Sequence, residues 1–213
     1  MTAFTIIKMT IQKLTETITV REIKKSDWSN IESLFGTKGA CGGCWCMHWR
    51  TPQGGKTWLA VQGEPNRMVF QKLVNDGKAL GILAFDGKTP VGWCSFGMRA
   101  DFPRTETVKA YRSSDNSAEQ KAVEPVWSIN CFYLASGFRN RGVSQMLASA
   151  AVTAIKSRRG RIIEAYPVSL TKDGEKLPAA FSFTGGEIIF KRLGFKVAQR
   201  LSESRPLYKL TLP

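Results

Sequence analysis

At 213 residues, the chain is long enough to bury a full core without disulfide staples, and its length argues against two large domains. With 43% hydrophobic and 23% charged residues it has a globular composition, and no run approaches the ~18 consecutive apolar residues of a membrane span. A formal charge of +14 attracts polyanions from nucleic acid to phosphorylated cofactors. The basic residues are spread along the chain rather than gathered in a tail, so charge alone selects no partner, and nucleic acid is possible but not favoured.

Residues 1–14 lack the apolar core of a secretory signal, and five cysteines, three of them at Cys41, Cys44 and Cys46, make no secreted disulfide framework. The expected setting is cytoplasmic, with residues 1–17 as an extension and 18–213 as a single domain. A strand at 18–23 leads to Ser26-Asp27, a helix cap before the apolar Ile31, Leu34 and Phe35. Residues 36–55, rich in Gly, Cys and Trp, have no period and read as loop with some helix; a helical pattern follows at 64–74. The segments 80–85 and 90–96 flank Asp86-Gly87 as a β-hairpin. Residues 99–125 form a long polar excursion of the kind that covers sites.

Residues 126–134 read as a buried strand that turns sharply into a helix. That helix carries Val143, Met146, Leu147, Ala150, Ala151, Ala154 and Ile155 on one face, then Lys156, Arg158 and Arg159 before Gly160. A strand at 161–168, an irregular loop, a short helix at 184–193 and strands at 195–201 and 206–212 complete one mixed α/β domain without repeats.

The junction between strand and helix is the most informative segment. Arg139-Asn140-Arg141-Gly142-Val143-Ser144 gathers successive backbone N–H groups, two guanidinium groups and a helix N-terminus, a good place for a diphosphate. Gly142 permits close backbone approach, and Ser144 is small enough to let the helix begin near the ligand. The spacing is not that of a P-loop. A dinucleotide fingerprint would need glycines where Asn140 and Gln145 stand, although Glu164 lies at the distance of a ribose-binding acid.

These residues resemble the signature of the GNAT superfamily of acyl-CoA-dependent N-acyltransferases: Arg or Gln, two residues, Gly, one residue, then Gly or Ala, after the fourth strand. A second feature is similar, a short helix ending in aromatic-x-x-Leu-Gly-Phe, here Phe190 to Phe195. The Cys/Gly/Trp-rich segment resembles a poorly characterised bacterial branch of that superfamily. The resemblance implies a mixed, mostly antiparallel α/β (α+β) sheet with splayed middle strands flanked by helices. It implies acetyl-CoA as cosubstrate and an amine-bearing acceptor attacked without a covalent enzyme intermediate. Phe132, Tyr133 and Leu134 would run beside the pantetheine arm, and backbone N–H groups would polarise the thioester carbonyl. Arg139, Asn140, Arg141, Gly142, Val143 and Ser144 would wrap the diphosphate, with Phe190 alongside the cofactor.

Three departures matter. Ser144 replaces the usual Gly or Ala, Phe190 stands where many relatives carry the tyrosine that protonates the departing thiolate, and Phe183 stands where they often carry asparagine. Tyr166 is the candidate substitute acid, set against an ordinary packing role; Glu164, two residues earlier on the same strand face, is the candidate proton relay or a structural salt-bridge partner. Cys41, Cys44, Cys46 and His48 have the number of donors a zinc site needs. One short segment is a poor source for all four, and alternation would point Cys44, Cys46 and His48 the same way, so no metal is expected. The resemblance implies instead that residues 36–50 form the acceptor wall, with Trp45, Trp49 and Trp58 as aromatic lining, set against ordinary core packing, and Cys46 as a candidate reactive thiol. A non-catalytic CoA-binding regulator and a basic RNA-associated protein are the rival readings.

Overall fold

The computed structural model describes residues 18–52, 55–107, 125–169, 171–172, 175–176, 182–202 and 205–213. The expected extension at 1–17 and most of the polar excursion lie outside them. In chain order the elements are β1 (Ile18–Glu22), α1 (Trp28–Phe35), α2 (Gly55–Val61), α3 (Glu64–Asn75), β2 (Leu80–Asp86), β3 (Thr89–Met98), α4 (Arg104–Thr107) and β4 (Val126–Leu134). They continue with α5 (Val143–Ser157), β5 (Ile162–Ala165), β6 (Thr171–Lys172), β7 (Glu175–Lys176), α6 (Glu187–Arg192), β8 (Lys196–Ser202) and β9 (Arg205–Thr211).

Seven strands form one sheet in the order β1-β2-β3-β4-β5-β9-β8, antiparallel except for the central β4–β5 pair. That pair is parallel because α5 is the crossover between its strands, and its residues Val126 to Ile129 match Ile162 to Ala165. On one face Leu147, Ala148, Ala151, Ala154 and Ile155 of α5 pack with Phe190 and Phe195 against Ile82, Cys94, Ile129 and Ile163. On the other, Ile31, Leu34 and Phe35 of α1 and Phe70 and Val74 of α3 pack with Trp45, Trp49 and Tyr166 against Leu83, Trp93 and Cys131. Strand alternation sorts these sets: Trp127 and Ile129 belong to the first face, and Ser128 between them to the second.

Several expected elements change in detail. Asp27 stands at the start of α1 but does not cap it; its carboxylate accepts the Lys24 N–H and pairs bidentately with Arg21 after a 3-10 turn. The strand expected to end at Val168 stops at Ala165, and the helix expected from Thr184 starts at Glu187. The reason in both cases is a turn at 182–185, which takes up backbone bonds from both sides of the open sheet. The helix α2 and the β6–β7 ribbon carried no period long enough to read.

Candidate functional site

Beyond Ile129 and Ala165 the two central strands part. β4 continues alongside β3, but between Ser95 and Phe96 the register slips, leaving Asn130 as an extra residue on β4. Such a bulge bends its strand and re-aims the residues beyond it. The gap is bridged by the turn 182–185, closed by the Gly185 N–H to the Ser182 carbonyl. On one side the Phe132 N–H donates to the Phe183 carbonyl at 2.6 Å; on the other the Val168 N–H donates to the Gly185 carbonyl at 3.0 Å. Alternation along β4 turns the Leu134 N–H toward the same gap as that of Phe132, whereas Tyr133 pairs with Trp93. Phe132 and Leu134 therefore line the gap with backbone donors, and the short Phe183 contact shows that one of them receives a carbonyl well.

The far end of β4 runs through a 3-10 turn at Ser136–Phe138 into α5. Asn140 has φ 59° and Gly142 φ 80°, both in the left-handed region that Asn and Gly tolerate best. The first helical bonds run from Gln145 and Met146 N–H to the Gly142 carbonyl. The N–H groups of residues 140–144 find no backbone acceptor among the described residues, so the turn is a concave run of donors at the positive end of a 15-residue helix. Arg139 is exposed, while Arg141 folds back onto the Gly137 carbonyl at 2.9 Å and over the Phe138 ring at 4.7 Å. Val143 buries its side chain in the core, so only its backbone remains for a ligand. Phe190 does likewise: it is fully buried, packed edge-on against Phe132 and Phe195.

Tyr166 and Glu164 meet as their shared face required. The Tyr166 hydroxyl donates to Glu164 Oε2 at 3.0 Å, both residues are buried, and Trp49 packs on the phenol ring. Burial, then the Glu164 charge, pushes the phenol well above its ordinary range, so it stays protonated. Arg99 stands 3.4 Å from the Glu164 carboxylate and also binds Glu106; Lys209 approaches at 3.9 Å.

The segment 36–50 is a chain of turns, with Ala40, Trp45 and Cys46 at positive φ, and not the extended run that would align Cys44, Cys46 and His48. Cys46 turns inward to Cys131 and accepts the Trp93 Nε1–H at 3.2 Å. The Cys131 hydrogen bond, with further help from Trp93 and Arg50, lowers the thiol to about 7 against the opposing effect of burial. Burial pushes Cys44 up to about 12. His48 sits among Trp49, Trp58 and Phe183, and burial reinforced by Arg104 and Arg205 lowers its imidazole to about 3. Among the described residues no group of three or more His, Cys, Asp or Glu side chains is placed to hold a metal ion. Trp45 and Trp49 are core residues, while Trp58 is only partly buried.

Sequence reading alone passed over the turn at 182–185, Arg99, the Asn130 bulge and Cys131. Their key partners, Phe132 for the turn, Glu164 for Arg99, Ser95 and Phe96 for the bulge and Cys46 for Cys131, lie more than 30 residues away, and no local spacing announces them.

The sequence profile of the acetyltransferase (GNAT) family matches residues 46–171, more than half of the chain. Among curated proteins none matches the sequence. Among solved structures the fold is similar to an N-acetyltransferase from Staphylococcus aureus Mu50, at 14% identity, TM-score 0.51, and coverage of 92% of this chain and 99% of that one. It is also similar to the PaiA N-acetyltransferase of Thermoplasma acidophilum in complex with coenzyme A, at 12% identity, TM-score 0.50, and coverage of 92% and 99%. No helix among the described residues is long and apolar enough to cross a membrane.

Proposed function

The chain belongs to the acetyltransferase (GNAT) family, and from that premise we propose that it transfers the acetyl group of acetyl-CoA directly to an amine. The observation that carries this reading is the continuity of donors along β4: N–H groups of Phe132 and Leu134 facing the gap, then the unpaired N–H run of residues 140–144 at the start of α5. One strand thus offers a carbonyl-binding edge and an anion-binding end, as a thioester on a diphosphate-bearing arm requires. The diphosphate rests on residues 139–144, chiefly through backbone groups, with Arg139 free to reach it. The pantetheine arm lies along Phe132 to Leu134, and the Phe132 N–H now held by Phe183 polarises the thioester carbonyl. Phe190 serves as a packed support behind Phe132 rather than as a contact.

Amine attack makes a tetrahedral centre whose charge those N–H groups stabilise, and no protein nucleophile is required. Glu164 takes the proton of the attacking amine, directly or through Tyr166, whose hydroxyl already donates a hydrogen bond to it. Arg99, 3.4 Å from the Glu164 carboxylate, holds it in position. The test is free-thiol release from acetyl-CoA across a panel of small amines, amino acids and peptides, alongside calorimetric binding of CoA. Acceptor-dependent thiol release supports the reading; a folded protein that binds no CoA overturns it.

A further inference from the structure

A departing thiolate carries a full negative charge into a buried gap, and a hydrogen bond aimed at that charge lowers the barrier to its departure. Phe190 and Phe183 cannot donate one. The Tyr166 phenol is committed to Glu164 at 3.0 Å, and its proton serves the amine side of the reaction.

The turn at 182–185 carries another hydroxyl. Thr184 is 0% exposed, yet its Oγ1 has no hydrogen-bond partner among the described residues. Its position is fixed from both sides. The preceding carbonyl, of Phe183, occupies the Phe132 N–H, and the following one, of Gly185, binds the Val168 N–H across the gap. Gly185 itself lies so close to Phe132 and Phe190 that an added Cβ would meet their rings at 3.1 Å and 3.4 Å. Thr184 therefore sits in the turn between the parted strands, next to Gly185, which packs against the Phe132 and Phe190 rings. A buried hydroxyl without a partner gives up its water with no hydrogen bond in return, so its presence asks for a reason beyond folding.

We propose that Thr184 is a further catalytic residue, whose hydroxyl donates a hydrogen bond to the sulfur of coenzyme A as the thiolate leaves. This rests on the acetyl-CoA reading above and extends it to the leaving group. The C–N bond forms with the lone pair of the amine, the C–S bond breaks with its electron pair remaining on sulfur, and the amine proton passes to Glu164. Thr184 keeps its own proton throughout; the thiolate later takes one from water. Binding exchanges the Phe183 carbonyl for the thioester carbonyl on the Phe132 N–H, while the Gly185 carbonyl keeps its bond to the Val168 N–H and holds Thr184 at the gap, alongside the adjacent sulfur.

The test compares calorimetric affinities for CoA and desulfo-CoA in the wild type, Thr184→Val and Thr184→Ser, from about pH 6 to about pH 9, the range that brackets a thiol. The wild type should favour CoA increasingly as pH rises, because the bound thiol ionises below its solution value. Thr184→Val should lose that preference about tenfold while binding desulfo-CoA unchanged, and Thr184→Ser should keep it. Removing an unpartnered hydroxyl should leave the melting temperature of Thr184→Val at or above that of the wild type, which a structural threonine would not allow. A Thr184→Val protein with the wild-type preference, or a wild type with none, overturns the proposal and leaves the acetyl-CoA reading standing. A wild type that binds neither ligand overturns both.

Discussion

One face of the sheet is covered by α5 and α6 with Leu147, Ala148, Ala151, Ile155 and Phe190 in regular helical spacing; the other is covered by α1, α3 and the turns of 36–50. Trp45 and Cys46 on that second face hold positive φ angles, the buried Cys46 thiol accepts the Trp93 indole N–H, and Ser128 is buried without a partner among the described residues. Local rules are kept on the first face and broken on the second. Proteins tolerate such breaches where function compensates for them, and the proposed chemistry lies on that second face and in the gap at its edge. The first face supplies the rigid mount, ending in the N-terminus of α5.

The largest expected effect breaks the link between the two. Gly142→Asp places a carboxylate among the donors of residues 140–144, at φ 80° but with nothing within 4 Å of the added Cβ. The fold should survive with about 1–2 kcal/mol of strain, while CoA affinity falls by at least about 100-fold, because a like charge replaces open donors. Calorimetry reads it, with circular dichroism as the control. Wild-type affinity in a folded variant would remove the diphosphate from this turn.

Acid should then expose the second face. The His48 imidazole is lowered to about 3 from its ordinary 6.5, so the folded state holds fewer protons than the unfolded one between those values. Its contribution is present in full above pH 6.5 and is lost as the pH falls toward 3. The loss is on the order of 3–5 kcal/mol. Urea titrations of wild type and His48→Gln should converge in stability as pH falls through this window. A constant gap between them would mean that His48 is not held neutral.

The same contrast between faces explains what could be read from sequence. The helix after Gly142, the hairpin at Asp86-Gly87 and the shared face of Glu164 and Tyr166 are local patterns, set by neighbours within a few residues, and the structure contains each of them. The environment of Cys46 depends on Trp93, Cys131 and Arg50, and the closure of the gap depends on Phe132 meeting Phe183. Those contacts are created by topology. Extended alternation was the wrong template for residues 41–48 because Gly39, Gly42 and Gly43, all at positive φ, turn the chain at every step.

Ordinary packing loss should appear next. Leu147 is fully buried on the α5 face among aliphatic and alanine neighbours that are held by a long helix and cannot collapse into its space. Leu147→Ala should therefore cost about 3 kcal/mol, within the range of about 2–5 for such truncations, measured as a fall in the urea midpoint without a change in slope. A cost below about 1 kcal/mol would mean that this face is as loosely specified as the other.

The smallest effect is the most discriminating. Ser128 lies one residue along β4 from Ile129 and is also fully buried, but its side chain is on the opposite face and its Oγ has no hydrogen-bond partner among the described residues. If the second face were simply core, every buried polar atom on it would be bonded, and removing a bonded hydroxyl would cost about 1 kcal/mol. If that face is built around a ligand, Ser128→Ala removes a desolvated donor that folding does not use. The free protein should then be within about 0.5 kcal/mol of the wild type or more stable. The same variant should retain CoA binding, since Ser128 lies on the paired stretch of β4, before the gap opens. A clear loss of stability would show that Ser128 is held by a buried water, and the contrast between the two faces would shrink to the thiols and the strained turns of 36–50.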